Sequence, residues 1–284
     1  MSKFYYPVLA ALCLLVSCSS DKVEDDNIIR KESEFLMVEM TFSPYDQEPL
    51  TRAAVSIADV VTHLDVWIYE SGTEVTAVHQ ASGDALFGSM SLTLDKTKTY
   101  TIYACGHRAT AAASLANGII TFPNDKVVEA MYYTTTFSPS TTTSLSCLMQ
   151  RIVGKFILES TDALPDYADH IRLTIGNTAT RYGVGGTLEN VINREVNFTS
   201  LSSRQDGTIL MSTNILSTTG GATFDILLQV FDADNNERQS RLFQNVPIRN
   251  NYRTTYRGIV FRNVNIDDMV FTVNDWQDLD VVDF

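Results

Sequence analysis

The segment Leu64-Asp65-Val66-Trp67-Ile68-Tyr69 decides the fold class of this chain. Leu64, Val66 and Ile68 fall on one face of an extended backbone, and the other three residues fall on the opposite face, which is the period of a β-strand. The segment Glu70-Ser71-Gly72-Thr73 follows directly and is typical of a hairpin turn. We therefore predict a β-strand that opens a hairpin.

Runs of the same kind recur along the rest of the chain. They are Glu32–Phe42, Met90–Leu94, Tyr100–Ala104, Leu148–Leu158, Ile171–Ile175, Thr208–Met211, Phe224–Phe231, Ser240–Phe243, Thr254–Phe261 and Met269–Trp276. Because helical patterns are scarce and strand patterns are frequent, the predicted class is all-β, with two β-sandwiches in tandem.

Two segments of the first half interrupt this pattern. Ala109–Ala116 is rich in alanine and is closed by Asn117-Gly118, which predicts a short helix with a C-terminal stop. Thr134–Ser146 is nearly all Ser, Thr and Pro, which fits either a linker or an edge strand. The boundary between the two sandwiches is predicted near Cys147.

The amino terminus has the pattern of a lipoprotein signal. Lys3 precedes an apolar run that is shorter than the about 20 residues needed to span a bilayer, so the pattern is that of an export signal. Leu15-Val16-Ser17-Cys18 matches the bacterial lipobox, which predicts a fatty-acylated Cys18; the alternative is an ordinary signal peptide cut near the same place. The predicted organisation is a signal peptide at 1–17, an acidic tether at 18–32, and β-sandwiches at 33–147 and 148–284.

Composition limits the classes of partner. The formal net charge is -13 and the sequence pI is about 4.6, and Lys and Arg are not clustered along the chain. Such a surface repels nucleic acid, so we predict no nucleic-acid partner. Cys105 and Cys147 are the two cysteines downstream of the lipobox; they are predicted to be separate buried thiols, with a disulfide in an oxidising compartment as the alternative.

Candidate sites for chemistry are few and incomplete. Cys105 and His107 share a strand face, as a thiol and imidazole pair would, but nothing else supports a nucleophile. Asp232-x-Asp234-x-Asn236 has half of a calcium loop and fits a hairpin turn better. Gly183-Val184-Gly185-Gly186 lacks the flanking strand, helix and lysine of a phosphate loop. We predict no enzyme activity, no cofactor and no metal.

Several segments together resemble the fimbrillin and fimbrial-anchor superfamily of Bacteroidales, the subunits of type V pili. Besides the lipobox, the resembling segments are Thr51-Arg52-Ala53, Leu64 to Tyr69, Leu148-Met149-Gln150-Arg151-Ile152-Val153-Gly154-Lys155-Phe156, Asn251-Tyr252-Arg253 and Phe271-Thr272-Val273-Asn274-Asp275-Trp276. They extend over nearly the whole chain.

The resemblance implies two transthyretin-like sandwiches and assembly by donor-strand exchange with other pilus subunits. It also implies cleavage by a trypsin-like protease after Arg52, which removes the first strand. The residues of that removable strand are Glu34, Phe35, Leu36, Met37, Val38, Glu39, Met40, Thr41 and Phe42. Losing it leaves unpaired backbone groups and apolar pockets that a neighbouring strand refills.

The protein is predicted to be held at the outer membrane by the lipid on Cys18. It is predicted to face the cell exterior as part of a fimbrium. The length of 284 residues favours an anchor or accessory subunit, whereas Thr51-Arg52-Ala53 is the kind of site found in a stalk or tip subunit. The alternative function is a surface lipoprotein that binds glycans or host ligands without polymerising, through an aromatic platform of Tyr132, Tyr133 and Tyr182.

Overall fold

The computed structural model describes residues 34–44, 56–199, 208–262 and 269–275. Most of this part of the chain is strand and very little of it is helix, which confirms the all-β prediction. Within it, no helix has the length and apolar character needed to cross a membrane.

The first half contains one short helix and nine strands among the described residues. Helix α1 spans Ile57–Val60, and the strands are β1 (Phe35–Pro44), β2 (His63–Glu70), β3 (Thr73–Ala81), β4 (Ser89–Asp95), β5 (Tyr100–His107), β6 (Ser114–Ala116), β7 (Ile119–Thr121), β8 (Ala130–Phe137) and β9 (Ser144–Arg151). A 3₁₀ segment covers Pro123–Asp125.

The second half contains eight strands among the described residues. They are β10 (Val153–Ser160), β11 (His170–Gly183), β12 (Leu188–Phe198), β13 (Ile209–Leu216), β14 (Ala222–Phe231), β15 (Glu237–Ile248), β16 (Tyr252–Gly258) and β17 (Val270–Asp275).

Seven of the nine strands of the first half form one sheet in the order β3-β2-β5-β8-β9-β1-β4. Alternate side chains from both ends of this sheet meet in one apolar cluster, the first core, as the period-two pattern predicts. Its members include Val38, Met40, Phe42, Leu64, Val66, Ile68, Ile102 and Met149. The sheet therefore folds over on itself around a shared core.

The second half has two sheets. One has the order β13-β10-β16-β17, and the other has the order β15-β14-β11-β7-β6, with β12 paired to β11. Buried residues of both sheets form the second core, which includes Phe156, Leu158, Ile171, Leu173, Ile226, Leu228 and Phe243. This is the packing of a β-sandwich.

A third apolar cluster, the junction cluster, joins the two halves. It includes Trp67, Cys105, Ile120, Phe122, Tyr132, Val153, Tyr182 and Leu216. The small hairpin of β6 and β7 also adds to a sheet of the second half, because β7 pairs with β11. The strand β2 that decides the fold class therefore has a buried residue on each face, with Val66 in the first core and Trp67 in the junction cluster.

The helix predicted at Ala109–Ala116 is wrong. Ser114–Ala116 is strand β6, and Asn117 and Gly118 both have positive φ, 51° and 72°, as a two-residue hairpin turn requires. The Ala113 N–H donates to Asp65 Oδ2 at 2.8 Å instead of to a helical carbonyl. Tertiary contacts thus override the weak helical preference of an eight-residue alanine-rich segment.

Thr134–Ser146 is not a linker, since it runs through β8, a turn and the start of β9. Residues 134–137 of β8 pair with β5, whereas β8 pairs with β9 only at Met131 and Tyr132. Among the described strands this part of β8 is therefore paired on one side only, as the edge-strand alternative predicts. The predicted boundary at Cys147 falls inside β9, where Cys147 and Met149 contribute to the first core. The chain leaves that core between Arg151 and Val153, while the division into two domains stays a prediction.

Gly154 in β10 is required by close backbone packing. A Cβ at this position would lie 2.5 Å from the Arg249 carbonyl oxygen and 2.7 Å from Ile248 Cγ2. We expect Gly154→Ala to lower the free energy of unfolding by about 1–3 kcal/mol, because backbone atoms must shift to make room. Urea denaturation followed by circular dichroism measures the change.

The control is Gly185→Ala, since a Cβ at Gly185 has no atom within 4 Å and the backbone there does not have positive φ. We expect the free energy of unfolding of this variant to lie within about 0.5 kcal/mol of the parent. Equal stability of the two variants would contradict the packing argument.

Candidate strand-exchange site

The first strand lies inside the seven-stranded sheet. On one side β1 pairs with β4 in antiparallel register, from Phe35 opposite Asp95 to Thr41 opposite Ser89. On the other side it pairs with β9 in parallel register. Removing β1 would therefore leave a slot with two unpaired strand edges, where the sequence predicted a single edge.

The side chains of β1 alternate sharply between buried and exposed. Val38, Met40 and Phe42 are 0%, 1% and 3% exposed and belong to the first core. Phe35 and Met37 are 53% and 59% exposed. Of the remaining predicted strand residues, Leu36 is half-buried, while Glu34, Glu39 and Thr41 are exposed. The slot thus carries three apolar pockets at alternate positions along its length.

These three pockets give the slot a large apolar driving force. Burial of a side chain of this size contributes about 1.5–3 kcal/mol. An empty slot would expose the pockets and the backbone groups of β4 and β9 to water. A second extended segment with apolar residues at every other position could fill the pockets and pair with the backbone groups of β4 and β9.

The two predicted processing residues, Cys18 and Arg52, lie outside the described residues. Arg52 falls in the sequence between the end of β1 at Pro44 and the beginning of α1 at Ile57. Its predicted cleavage and the predicted acylation of Cys18 remain predictions.

Cys105 and His107, weighed as a candidate thiol and imidazole pair, do not form one. Both residues are buried on β5, but His107 Nε2 contacts Asp65 Oδ2 at 2.7 Å, and His107 Nδ1 accepts the Ala109 N–H. Burial raises the pKa of the Cys105 thiol well above its usual value. With both imidazole nitrogens engaged and the thiol protonated, this arrangement gives no activated nucleophile.

Asp65 is the centre of a histidine cluster that the sequence did not predict. Its carboxylate contacts His107 and also His79 Nδ1, the latter at 2.7 Å, and it accepts the Ala113 N–H. His63 stacks on His79 and on His107, with ring centroids 5.4 Å apart in each case. The residues come from β2, β3 and β5, and only the strand register brings them together.

The pKa of His63 is lowered, first by burial and then by its histidine neighbours. Among the described residues, no group of three or more His, Cys, Asp and Glu side chains has an arrangement that could hold a metal ion. The cluster is a hydrogen-bonded support for the sheet and for the start of β6.

Cys105 and Cys147 are free and buried, which confirms the prediction of separate thiols. Burial raises the pKa of Cys147 to about 11. The two sulfurs belong to different clusters, since Cys147 lies in the first core and Cys105 in the junction cluster.

Comparison with known proteins identifies solved structures that share this fold. No family model and no curated protein matches the chain. Among solved structures, a candidate polysaccharide-binding protein from Bacteroides thetaiotaomicron matches with a TM-score of 0.55 at 12% identity, over 86% of this chain and 99% of its own. A candidate adhesin from the same organism matches with a TM-score of 0.53 at 12% identity, over 86% and 97%.

The fimbrial anchor protein Mfa2 from Porphyromonas gingivalis matches with a TM-score of 0.51 at 13% identity, over 85% of this chain and 98% of its own. The chain shares the fold of these three solved proteins. The resemblance read from the sequence is thereby confirmed at the level of fold, and the match spans nearly the full length of each of the three solved chains.

The predicted tyrosine platform is wrong. Tyr132 and Tyr182 are 9% and 8% exposed and pack against each other in the junction cluster, with ring centroids 5.2 Å apart. The Tyr132 hydroxyl donates to the Val184 carbonyl. Tyr133 is half-buried against the first core. The tyrosines pack the interior and present no joint surface to a ligand.

The two loops that superficially resemble binding motifs are hairpin turns. Asp232 Oδ1 accepts the backbone N–H groups of Asp234 and Asn236 between β14 and β15. Val184 to Thr187 connect β11 to β12. The hairpin turn that the sequence favoured at Asp232 to Asn236 is thereby confirmed.

Proposed function

We propose that this protein is a fimbrial anchor or accessory subunit, held to the outer membrane by a lipid on Cys18, that acts in cell adhesion and assembles by strand exchange. The carrying observation is the position of β1 between β4 and β9, with Val38, Met40 and Phe42 buried in the first core. The fold shared with the fimbrial anchor Mfa2 supports the same proposal.

The proposed exchange replaces β1 with a strand from a neighbouring subunit. Cleavage after Arg52 would cut the connection between β1 and α1, so that β1 is held only by hydrogen bonds and apolar contacts. A donor strand would then make the same backbone bonds to β4 and β9 and place apolar side chains in the three pockets. An uncleaved chain would keep β1 in place and serve as the anchored end.

Treatment with an arginine-specific protease tests the exchange. We expect the Cys18→Ser form to be cut after Arg52, to lose the fragment containing β1, and to form ladders of oligomers on gels run without boiling. Mass spectrometry identifies the cut and the released fragment. Arg52→Gln is the matched control, because it keeps every other arginine and should remain monomeric.

A synthetic peptide of residues 34–44 provides the second arm. We expect the peptide in excess to occupy the slot of the cleaved protein and suppress the ladders, whereas a peptide with Asp at positions 38, 40 and 42 should not. Protein that is cut after Arg52 but retains β1 and stays monomeric would overturn strand exchange.

The lipid is tested separately by labelling cells with a fatty acid such as palmitate. We expect label in the parent chain and in the membrane fraction, and loss of both in the Cys18→Ser variant. An unacylated chain with an amino terminus downstream of Cys18 would contradict the anchor.

The second candidate function is a lipoprotein that binds glycans without polymerising. The tyrosines first considered for it are buried, but a polar cleft elsewhere on the molecule favours ligand binding in its own right.

A further inference from the structure

A cleft of about 950 Å³ lies between the loop before β8 and the strands β12 and β13. Among the described residues that line it are Asn124 to Glu129, Ile192 to Asn197 and Ser212 to Asn214. Small-ligand sites have volumes of about 300–1,000 Å³, so the cleft has the size of a binding site. None of its lining residues belongs to β1.

Four cations line this cleft in a protein of net charge -13. They are Arg108, Lys126, Lys155 and Arg194. Three carboxylates also line it, but each is engaged by an arginine that is not among the lining residues. Those ion pairs are Asp125 with Arg181 at 2.8 Å, Glu129 with Arg151 at 2.9 Å and Glu195 with Arg172 at 3.5 Å. Glu129 also lies 3.9 Å from the lining cation Arg108, so the three outer arginines together with Arg108 balance the carboxylates. The field inside the cleft therefore favours an anion.

Arg194 is a partly buried cation in this wall. Its Nη2 donates to Thr213 Oγ1 at 3.2 Å and to the Asn214 carbonyl at 2.6 Å, both of them neutral acceptors. Its Nε is buried and has no hydrogen-bond partner in the described part of the chain, and the same holds for Asn214 Oδ1. Burial lowers the pKa of Arg194 to about 10, so the guanidinium stays charged at neutral pH. A partly desolvated cation that has no carboxylate partner among the described residues is stabilised by any acid that enters the cleft.

The remaining lining groups fit hydroxyl-rich molecules. Amide and hydroxyl side chains such as Asn193, Ser212 and Asn214 can exchange hydrogen bonds with sugar hydroxyls. Ile192, which is 43% exposed, offers apolar contact to a ring face. We propose that the cleft binds an anionic carbohydrate, with the acid group of the sugar near Arg194.

Calorimetric titration with trigalacturonic acid tests this assignment, and the methyl ester of the same trisaccharide is the matched neutral ligand. We expect the acid to bind and the ester to bind at least about tenfold more weakly, because only the acid provides charge-assisted hydrogen bonds. Arg194→Gln should weaken binding of the acid by about tenfold or more.

Lys126→Gln is a second variant, because Lys126 is exposed and its loss leaves the wall of the cleft intact. We expect it to weaken acid binding by a few-fold. Arg238→Gln is the control, since it removes the same charge from β15 outside the cleft and should leave the affinity unchanged. Thermal unfolding of each variant establishes that it is folded.

Equal binding of acid and ester, binding unaffected by both cleft variants, or no binding at millimolar concentration would each overturn the proposal. Titration with tetraglutamate tests whether the cleft binds acidic peptides. Binding of this peptide without binding of the trisaccharide would assign the cleft to acidic peptides instead. Each of these outcomes leaves the strand-exchange proposal untouched, because that proposal depends on β1.

Discussion

Replacing Asp162 with Ala is expected to lower the free energy of unfolding by about 3–5 kcal/mol. The carboxylate is buried, and it accepts backbone N–H groups from Val260 at 2.8 Å and from Phe261 and Arg262 at 2.9 Å. The hydroxyl of Ser160 donates to it as well. Removal of the side chain leaves these donors without an acceptor in a buried place, where water cannot replace it.

Urea denaturation followed by circular dichroism measures the loss, and Asp232→Ala is the matched control. Asp232 also accepts two backbone N–H groups, from Asp234 and Asn236, but it does so in a hairpin turn near the surface. We expect the control to lose no more than about 1 kcal/mol, since solvent can take the place of the carboxylate. Equal losses in both variants would contradict the role of burial.

The same contacts predict how stability depends on pH. Burial by itself would raise the pKa of Asp162, but the hydrogen bonds from Ser160 and the three N–H groups outweigh it and lower the pKa below the usual 3.8. Because the folded pKa lies below the unfolded one, the stabilisation is present above the unfolded pKa and is lost as the pH falls through the folded pKa. We expect the stability difference between the parent and Asp162→Asn to shrink on acidification below about pH 4.

Replacing Asp65 with Ala is the second large expected effect, a loss of about 2–4 kcal/mol in the free energy of unfolding. His107 is fully buried, and its Nε2 contacts the Asp65 carboxylate, which also accepts the Ala113 N–H. These contacts connect β2 to β5 and to the start of β6, the hairpin that extends a sheet of the second half. Asp65→Ala should therefore also weaken the packing of the junction cluster between the two halves.

Hydrogen exchange followed by mass spectrometry locates that loosening, with faster exchange expected in β6 and β7. Asp84→Ala is the control, because Asp84 accepts the Ala81 N–H in the exposed loop between β3 and β4. We expect its free energy of unfolding to fall by less than about 1 kcal/mol. A loss in Asp65→Ala that matches this control, or unchanged exchange in β6 and β7, would argue against the structural role of the cluster.

Local patterns in the sequence were enough to predict most strands but not their neighbours. The loose alternation in Glu32–Phe42 predicts a strand, and the structure has β1 at Phe35–Pro44. The alternation did not tell which face is buried, since Phe35 and Met37 are exposed. The pattern contains no information on the partners β4 and β9, because pairing depends on residues far along the chain. The two-sided slot, on which the strand-exchange proposal depends, therefore required the tertiary structure.

The cleft lay beyond sequence reasoning for the same reason. Arg108, Lys126, Lys155 and Arg194 are spread along the chain with no local clustering of charge. The sequence led us to find no basic patch, whereas the fold collects these cations in one concave surface. Arg194 lies in β12, a strand of mostly exposed residues, so its position gives no sign that it is partly buried. The burial of its Nε depends on packing against β13.

By itself the sequence determined the all-β class, the strand content and the hairpin turns, because these follow from residue periodicity and from glycine and asparagine at turns. It also carried the fimbrillin-like resemblance. Only the tertiary structure decided that Ala109–Ala116 contributes a strand, that Asp65 gathers three histidines and that β1 fills an interior slot. Those outcomes depend on strand order and register, which are set by the packing of distant residues into shared cores.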